Sequence, residues 1–504
     1  MSVNNTGIPY ELAADGSGVK SPEMQAFIRG VRENLKQAVN PYLPSWEYVP
    51  DGEPYVFGDR VYVYGSHDRF GGEVYCMGDY VCWSAPVSDL SDWRYEGVIY
   101  RKDQDPGNGD LQGNLYAPDV AVGPDGRYYL YYVLSSWGIV SAAVCDEPAG
   151  KYEFYGYVHY GDGTRLGERE GDEPQFDPGV LREGERTYLY TGFCGIGDRS
   201  RHGAMCTVLG PDMLTIVESP VFVAPGQMYS RGTSFEGHAF FEAPSIRKKD
   251  GLYYFIYSSE LSHELCYAVS SDPRGGFVYS GCLVSGGDLG IDSYKPKDQS
   301  MFYTANNHGS MVEINGDWYI FYHRHTNGTN YSRQGCFEKL RFSADGKPLQ
   351  AEISSCCGIK PLRGEGFYPS YITCQLFTDE FVTYVPWSGW MDDRFPKVTQ
   401  EGGDGDENYA YVANLRDGTN VGYKYFDFSG VKQVAVCTKG YGKGFLDLKL
   451  RWDGPVIGSI PIEYANVWHL TTEKIRIPDG VSSLYFEFRG IGHLQFAGFG
   501  FLKQ

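Results

Sequence analysis

GLYYFIY at residues 251–257 is one of five copies of a single pattern, a glycine followed six residues later by a tyrosine within a short aromatic stretch. The others are GDRVYVY at 58–64, GRYYLYY at 126–132, GERTYLY at 184–190 and GDWYIFY at 316–322. Successive glycines lie 68, 58, 67 and 65 residues apart, so one structural unit recurs five times. Each aromatic stretch is followed by further strand-like segments. YVCWSAPVSDLSDWRYEGVI, VSAAVCDEPAGKYEFYGYV and CYAVSSDPRGGFVYSGCLV share the order strand, Asp/Pro/Gly turn, strand. Units of this length and content read as propeller blades, small antiparallel sheets arranged around a central channel.

Just upstream of each glycine stands an ionisable residue: Asp51, Asp119, Asp177, Glu242 and His308, at offsets of 7, 7, 7, 9 and 8. The innermost strand of a blade comes first in its unit, so residues at its start line one mouth of the channel. Ring symmetry then brings all five toward one spot. The even offset of His308 departs from strand alternation, which places at least one of the five on a loop or after a bulge.

The remaining composition agrees with an all-β chain. Of 504 residues, 16% are aromatic, and 65 glycines and 27 prolines supply turns. The formal charge is −20 with no basic stripe, which disfavours nucleic acid and anionic membranes as partners and suits a neutral oligosaccharide. The opening MSVNNTGIPYELAADGSG has neither the basic nor the apolar region of a secretory signal, so a cytoplasmic location is expected. None of the 12 cysteines forms CxxC or a zinc-ligand spacing, and reduced, mostly buried thiols are expected.

Three regions follow. Residues 1–40 form an extension in which Ser21-Pro22 opens a short helix, expected to pack on the propeller, that Asn40-Pro41 ends. Residues 41–362 hold the five-bladed β-propeller. Residues 363–504 lose the repeat and alternate through GFLDLKLRWDGPVIGSIPI, VWHLTTEKIRIP and VSSLYFEFRGIGHLQFAGFGF, which predicts a jelly-roll-like β-sandwich. CCGIKPLRGEGFYPSYITC reads as a packed linker between the two.

Two carboxylates flanking a glycosidic bond are the usual machinery for its hydrolysis, one protonated to donate to the leaving oxygen and one ionised. A third carboxylate beside the acid keeps it protonated, because like charges disfavour ionisation. Asp51, Asp119, Asp177 and Glu242 suffice for such a site.

With these motifs in order, the chain resembles glycoside hydrolase family 43 over about residues 41–350. The family's members are five-bladed propellers that remove arabinose or xylose with inversion. NPYLPSWEYVPDGEPYVFGDRVYVYGSHD resembles the opening segment, which implies Asp51 as general base. In LYAPDVAVGPDGRYYLYY the resemblance implies that Tyr116 stands where the family has a subsite tryptophan, with Asp119 either binding sugar or holding backbone amides. FDPGVLREGERTYLYTG implies Asp177 as the pKa modulator with Phe176 beside the pocket, and FFEAPSIRKKDGLYYFIYSS implies Glu242 as general acid. NNHGSMVEINGDWYIFYH implies His308 at the pocket base, contacting either one calcium ion near the propeller axis or the site's water. YSRQGCFEKLRF implies Arg333 near sugar hydroxyls, with a structural ion pair as the alternative. Asp51-Gly52-Glu53-Pro54 stands where Asp-Pro is usual, so Glu53 competes as base; Glu236 is the alternative acid, six residues before Glu242.

WDGPVIGSIPI, VWHLTTEKIRIP and FRGIGHLQF resemble carbohydrate-binding module family 6, with Trp387, Trp390, Trp452 and Trp468 as stacking or core residues. The expected activity is inverting, exo-acting release of L-arabinofuranose from arabinoxylan- or arabinan-derived oligosaccharides. β-Xylosidase activity is the alternative, and a non-catalytic sugar-binding propeller is the reading from another class. No organic cofactor is expected.

Overall fold

A computed structural model describes residues 22–135, 138–380, 384–386, 390–405 and 410–503. Five antiparallel sheets follow one another in the first two thirds of the chain. Their first strands are Glu53–Phe57, Asp119–Val122, Gly179–Glu183, Phe240–Lys249 and Met311–Ile314. These strands meet side by side: the first contacts the fifth, the second the third, and the third the fourth. Four blades have four strands in sequence order, while the fifth has three, ending at Arg333–Lys339. The result is a five-bladed propeller.

The repeated glycine is the hairpin turn between a blade's first two strands. Register pairs Lys249 with Leu252 and Ile314 with Asp317, leaving two-residue loops Asp250-Gly251 and Asn315-Gly316. All four loop residues have positive φ, from 52° to 84°, the backbone of the primed turns that match strand twist. In two of the repeats the tyrosine binds blade to blade. Tyr64 donates to Pro148 O at 2.6 Å and Tyr190 to Pro273 O at 2.5 Å, in each case reaching the Asp/Pro/Gly turn of the next blade. Both rings are fully buried, so one motif supplies turn, core and inter-blade tie.

The ring closes without a shared sheet. Asn40 pairs with Phe337 through both amide groups, its Nδ2 donating to Phe337 O at 2.9 Å and its Oδ1 accepting from Phe337 N at 3.0 Å. Tyr42 N donates to Gly335 O at 3.4 Å. The segment before blade one is thereby fastened to the outer strand of blade five.

The last third is a sandwich of two sheets. One runs in the order Leu362–Gly364, Thr419–Phe428, Gly480–Ile491, Lys443–Lys449, Gly458–Ile462; the other Lys397–Gln400, Ala410–Leu415, Leu494–Leu502, Gln433–Gly440, Ala465–Glu473. Their inner faces meet through aromatic rings, Tyr423 on Phe499 at 4.6 Å and Phe486 on Phe499 at 5.1 Å.

Two expectations need correction. The stretch read as a linker already belongs to the sandwich: Leu362–Gly364 pairs with Thr419–Phe428, and Gly366–Pro369 pairs with Leu494–Leu502. The helix, Pro22–Asn34, packs on the sandwich and not on the propeller. Its apolar stripe of Phe27, Ile28 and Val31 is buried, with Phe27 edge-on to Phe367 at 5.2 Å. Gly498 and Gly500 leave that surface bare of side chains, which lets the rings of Phe27 and Phe367 seat there. Ser21 lies outside the described residues.

Sandwich and propeller share a buried ion pair. Lys424 Nζ, on Thr419–Phe428, lies 2.8 Å from Asp288 Oδ2 in the loop after blade four, with side chains 1% and 0% exposed. A second carboxylate, that of Glu352, lies 2.8 Å from the same ammonium. No helix among the described residues is long and apolar enough to cross a membrane.

Candidate active site

One end of the channel opens into a pocket of about 200 Å³ lined by Asp51, Asp177, Glu242, His308 and Arg333, with Tyr75, Cys76, Tyr116, Ala117, Phe176, Phe193 and Asn306. Asp51 and Asp177 stand just before the first strands of blades one and three; Glu242 lies near the start of that of blade four. All three are more than nine-tenths buried. The backbone is unusual there: Asp51, Asp177 and Ala243, next to Glu242, have φ of 59°, 42° and 62°. Left-handed backbone costs a non-glycine residue on the order of 1–3 kcal/mol and clusters where side chains must be aimed.

Arg333 organises one side. Its Nη1 lies 2.9 Å from Asp51 Oδ1, while Nε and Nη2 take Asp68 at 2.8 and 3.0 Å. Burial alone would raise the Asp51 carboxyl; the Arg333 guanidinium, with His323 and His308, outweighs this and holds it well below the usual carboxylate range. His323, which burial keeps neutral, accepts the Asp51 amide at Nδ1 (3.3 Å) and meets Asn306 O through Nε2 (2.9 Å).

The other side behaves oppositely. Burial, then the charge of Asp177, pushes Glu242 up to about 8. Asp177 is itself pushed up to about 7 by burial and the charge of Asp51, against the pull of His308. The amide of Ala243 donates to Asp177 Oδ2 at 3.3 Å, which joins acid and modulator through the backbone. One carboxylate is therefore kept ionised and another protonated at neutral pH, the division of labour that acid–base chemistry on a glycosidic bond needs.

Beneath them, His308 lies between two carboxylates, with Nδ1 3.8 Å from Asp177 Oδ2 and Nε2 3.8 Å from Glu53 Oε1. Burial opposes its charge, but Glu53, Asp177 and Asp51 raise it to about 9. Glu53 is not part of the pocket wall; its Oε2 is paired with Arg247 Nη2 at 2.6 Å and takes Ser245 Oγ at 3.1 Å. Calcium takes roughly six to eight oxygen ligands. Around His308, Glu53 Oε1 is buried without a hydrogen-bond partner 3.8 Å from Nε2, while Glu53 Oε2 is taken by Arg247.

Asp119 also lies outside the pocket wall. Its carboxylate accepts Tyr55 OH, its neighbour's Val120 N and Val180 N, each at 2.7 Å, tying the first strands of three blades. Tyr116 and Phe176 meet edge to face at 5.6 Å and Phe176 meets Phe193 at 5.3 Å, a continuous aromatic wall. Glu236 is exposed, accepting Gly232 N at 2.9 Å, away from the pocket. Trp452 donates to Tyr294 O at 3.1 Å, Trp468 meets Tyr411 at 5.4 Å, Trp390 is exposed, and Trp387 lies outside the described residues.

Sequence reasoning missed Asp68, Tyr75, Phe193, Asn306 and His323. Asp68 closes the GSHD of the opening motif and His323 closes GDWYIFYH, so both stood at the ends of quoted motifs, four residues and one residue beyond the repeated tyrosine. Tyr75 lies in a turn-rich loop with no periodic signal.

A propeller with a buried, charge-divided carboxylate set at its axis defines a glycoside hydrolase. The model of "Glycosyl hydrolases family 43" matches residues 48–348, and the chain belongs to that family. It is 62% identical over 466 residues to a xylosidase/arabinosidase of Thermoclostridium stercorarium, covering 92% of this chain and 98% of that one. Among solved structures it is similar to a family 43 arabinoxylan arabinofuranohydrolase from Bacillus subtilis in complex with cellotetraose, at 20% identity and TM-score 0.50, over 94% of this chain and all of that one. It is also similar to a family 43 β-xylosidase/α-arabinofuranosidase from a compost microbial metagenome, a calcium-free form with xylotriose, at 25% identity and TM-score 0.49, over 63% and 98% of the two chains.

Proposed function

We propose that the protein is an inverting, exo-acting glycosidase that releases single pentose units, L-arabinofuranose or D-xylose, from arabinoxylan-derived oligosaccharides. The observation that carries this reading is the convergence of buried Asp51, Asp177 and Glu242 on one pocket, where Arg333 favours the ionised form of Asp51 and burial beside Asp177 the protonated form of Glu242. Glu242 gives its proton to the leaving glycosidic oxygen, and Asp51 takes a proton from the water attacking the opposite face. Asp177 keeps Glu242 protonated before the step. The pocket, about 200 Å³, is smaller than the ~300–1,000 Å³ of sites for drug-sized ligands, which suits one sugar ring. Tyr116, Phe176 and Phe193 offer it an apolar face. Tyr75 Oη, buried at the pocket without a hydrogen-bond partner, offers a sugar hydroxyl a polar contact. The name of the Thermoclostridium relative, xylosidase/arabinosidase, supports both pentoses.

The test is hydrolysis of aryl α-L-arabinofuranoside and aryl β-D-xyloside side by side, with the first-formed anomer followed by NMR. Turnover of one or both with inverted product is expected, and loss of at least 100-fold in Asp51→Asn and Glu242→Gln. Product with retained configuration, or wild-type rates in either variant, overturns the reading.

For the axis we infer one calcium ion beside His308, facing the unpartnered Glu53 Oε1. Adding calcium to enzyme freed of divalent ions should then raise the melting temperature, and an unchanged melting temperature overturns this reading. The sandwich acts here as a brace through Lys424 and Asp288; glycan binding by it would be read from pull-down of the full chain on insoluble arabinoxylan.

A further inference from the structure

Away from the pocket, the fourth blade gathers four metal-ligating side chains that the hydrolytic reaction does not use. His238 precedes the strand Phe240–Lys249 that carries Glu242, and its Nδ1 lies 2.6 Å from Glu264 Oε1. Glu264 and Cys266 project from one face of the strand Glu264–Ser270, being two residues apart. Cys266 Sγ lies 3.2 Å from the same Glu264 oxygen. The donor atoms of His238, Glu264 and Cys266 all lie within 4.8 Å of one another, and among the described residues no other group of three or more His, Cys, Asp or Glu side chains does so. Cys282 stands directly opposite Cys266 on the neighbouring strand Val278–Ser285. Directly opposed residues have Cβ atoms ~4.5–5.5 Å apart, so a rotation about χ1 carries the Cys282 sulfur, now donating to Val284 O at 3.3 Å, toward the group.

We propose that His238, Glu264, Cys266 and Cys282 form a structural zinc site. Two thiolates, one imidazole and one carboxylate make a four-donor set of the kind zinc takes tetrahedrally, with bonds of ~2.0–2.3 Å. Donors at those bond lengths stand roughly 3.3–3.8 Å apart around a tetrahedral ion. Cys266 and Glu264 are already near that spacing, and the His238–Glu264 contact has only to open by somewhat under ~1 Å to admit the ion. The sulfur ligands favour zinc over calcium or magnesium, which prefer oxygen. The His238 side chain is 34% exposed and gives an entry path, while Glu264 is nearly buried and fixes the inner end. Binding releases the two thiol protons to solvent and leaves the sulfurs as thiolates, and the proton between His238 Nδ1 and Glu264 leaves to solvent or moves to Nε2, freeing Nδ1 for the ion. The ion would pin the segment Ser230–Ala239 against the third and fourth strands of the blade, four residues from Glu242 at His238. It would therefore stiffen the strand that carries the acid without entering the reaction.

The experiment uses the full chain, reduced and freed of metal, titrated with cobalt(II) as the spectroscopic probe and then with zinc. Expected is one equivalent of cobalt with a thiolate-to-cobalt charge-transfer band and the intense visible bands of tetrahedral geometry, displaced by one equivalent of zinc. Cys266→Ala and His238→Ala should each weaken binding at least tenfold, and Cys282→Ser should weaken it and diminish the charge-transfer band. His238→Ala, at a half-exposed position, and retained hydrolysis of aryl glycosides guard against misfolding as the cause. Absence of the charge-transfer band in the wild type, or a band and affinity unchanged in Cys266→Ala, overturns the site. Unchanged binding in Cys282→Ser overturns the four-ligand assignment.

Discussion

Arg333 divides its guanidinium between two buried carboxylates, Nη1 on Asp51 at 2.9 Å and Nε and Nη2 on Asp68. Asp51 is the one that reaches the pocket wall. Asp68 thus aims the arginine, and the arginine sets the charge of the base. Replacing Arg333 by Gln removes the strongest positive neighbour of buried Asp51, so the Asp51 carboxyl rises. The expected result is a kcat/KM at least 100-fold lower at neutral pH, with an acid limb in the pH–rate profile that the wild type lacks there. A profile of unchanged shape contradicts the role.

The alkaline limb reports the other carboxylate. Glu242 donates only while protonated, and it is pushed up to about 8, so kcat/KM should fall as pH rises through that region. Asp177→Asn removes the negative neighbour that helps hold the proton, so the limb should move to lower pH. A limb that stays in place would mean that burial alone sets Glu242.

The same shift bears on stability. In the unfolded chain Glu242 would titrate near 4.5, so between there and about 8 the folded state binds the extra proton. Stability contributed by this group is full below the unfolded value and declines as pH rises through the folded one. Glu242→Gln removes that decline. The inactive variant should melt at or above the wild-type temperature at pH 9, with a difference on the order of a few kcal/mol or less. Calorimetry at pH 5 and pH 9 checks it.

Tyr75→Phe keeps the ring against Tyr331 (4.9 Å) and under the Arg333 guanidinium (4.9 Å) while deleting the unpartnered hydroxyl. The fold should be untouched. KM should rise several-fold with a smaller change in kcat, a split that steady-state kinetics on both aryl glycosides resolves.

Lys424→Met strands Asp288 and should cost about 3–5 kcal/mol, whereas Lys424→Met with Asp288→Asn should recover part of it. Denaturant unfolding of the two variants separates these outcomes.

The blades and the acidic residues at their starts were legible because a hairpin turn needs a residue with positive φ and a blade core needs a buried aromatic ring. Gly251 and Tyr257 therefore recur at fixed spacing in the chain. Asp119 shows the limit of that signal. It shares the seven-residue offset of Asp51 and Asp177, yet its carboxylate is spent on Tyr55, Val120 and Val180. Spacing reports where a residue starts along a strand, and the left-handed φ of Asp51 and Asp177 decides which carboxylates swing to the axis. The helix was misplaced for a related reason. Its stripe of Phe27, Ile28 and Val31 is visible in the sequence, but the bare backbone of Gly498 and Gly500 that receives it lies at the far end of the chain. His238, Glu264, Cys266 and Cys282 show no metal-binding spacing because strand pairing and not sequence proximity assembles them.

Because the segment around Asn40 clasps blade five while the helix just before it rests on Phe367, the chain ahead of the propeller touches both domains. A truncation after residue 362 would strip the seat from Phe27, Ile28 and Val31 and leave the Asn40 clasp alone to hold that segment on blade five. Engineering of this enzyme has to treat its two ends as a single latch.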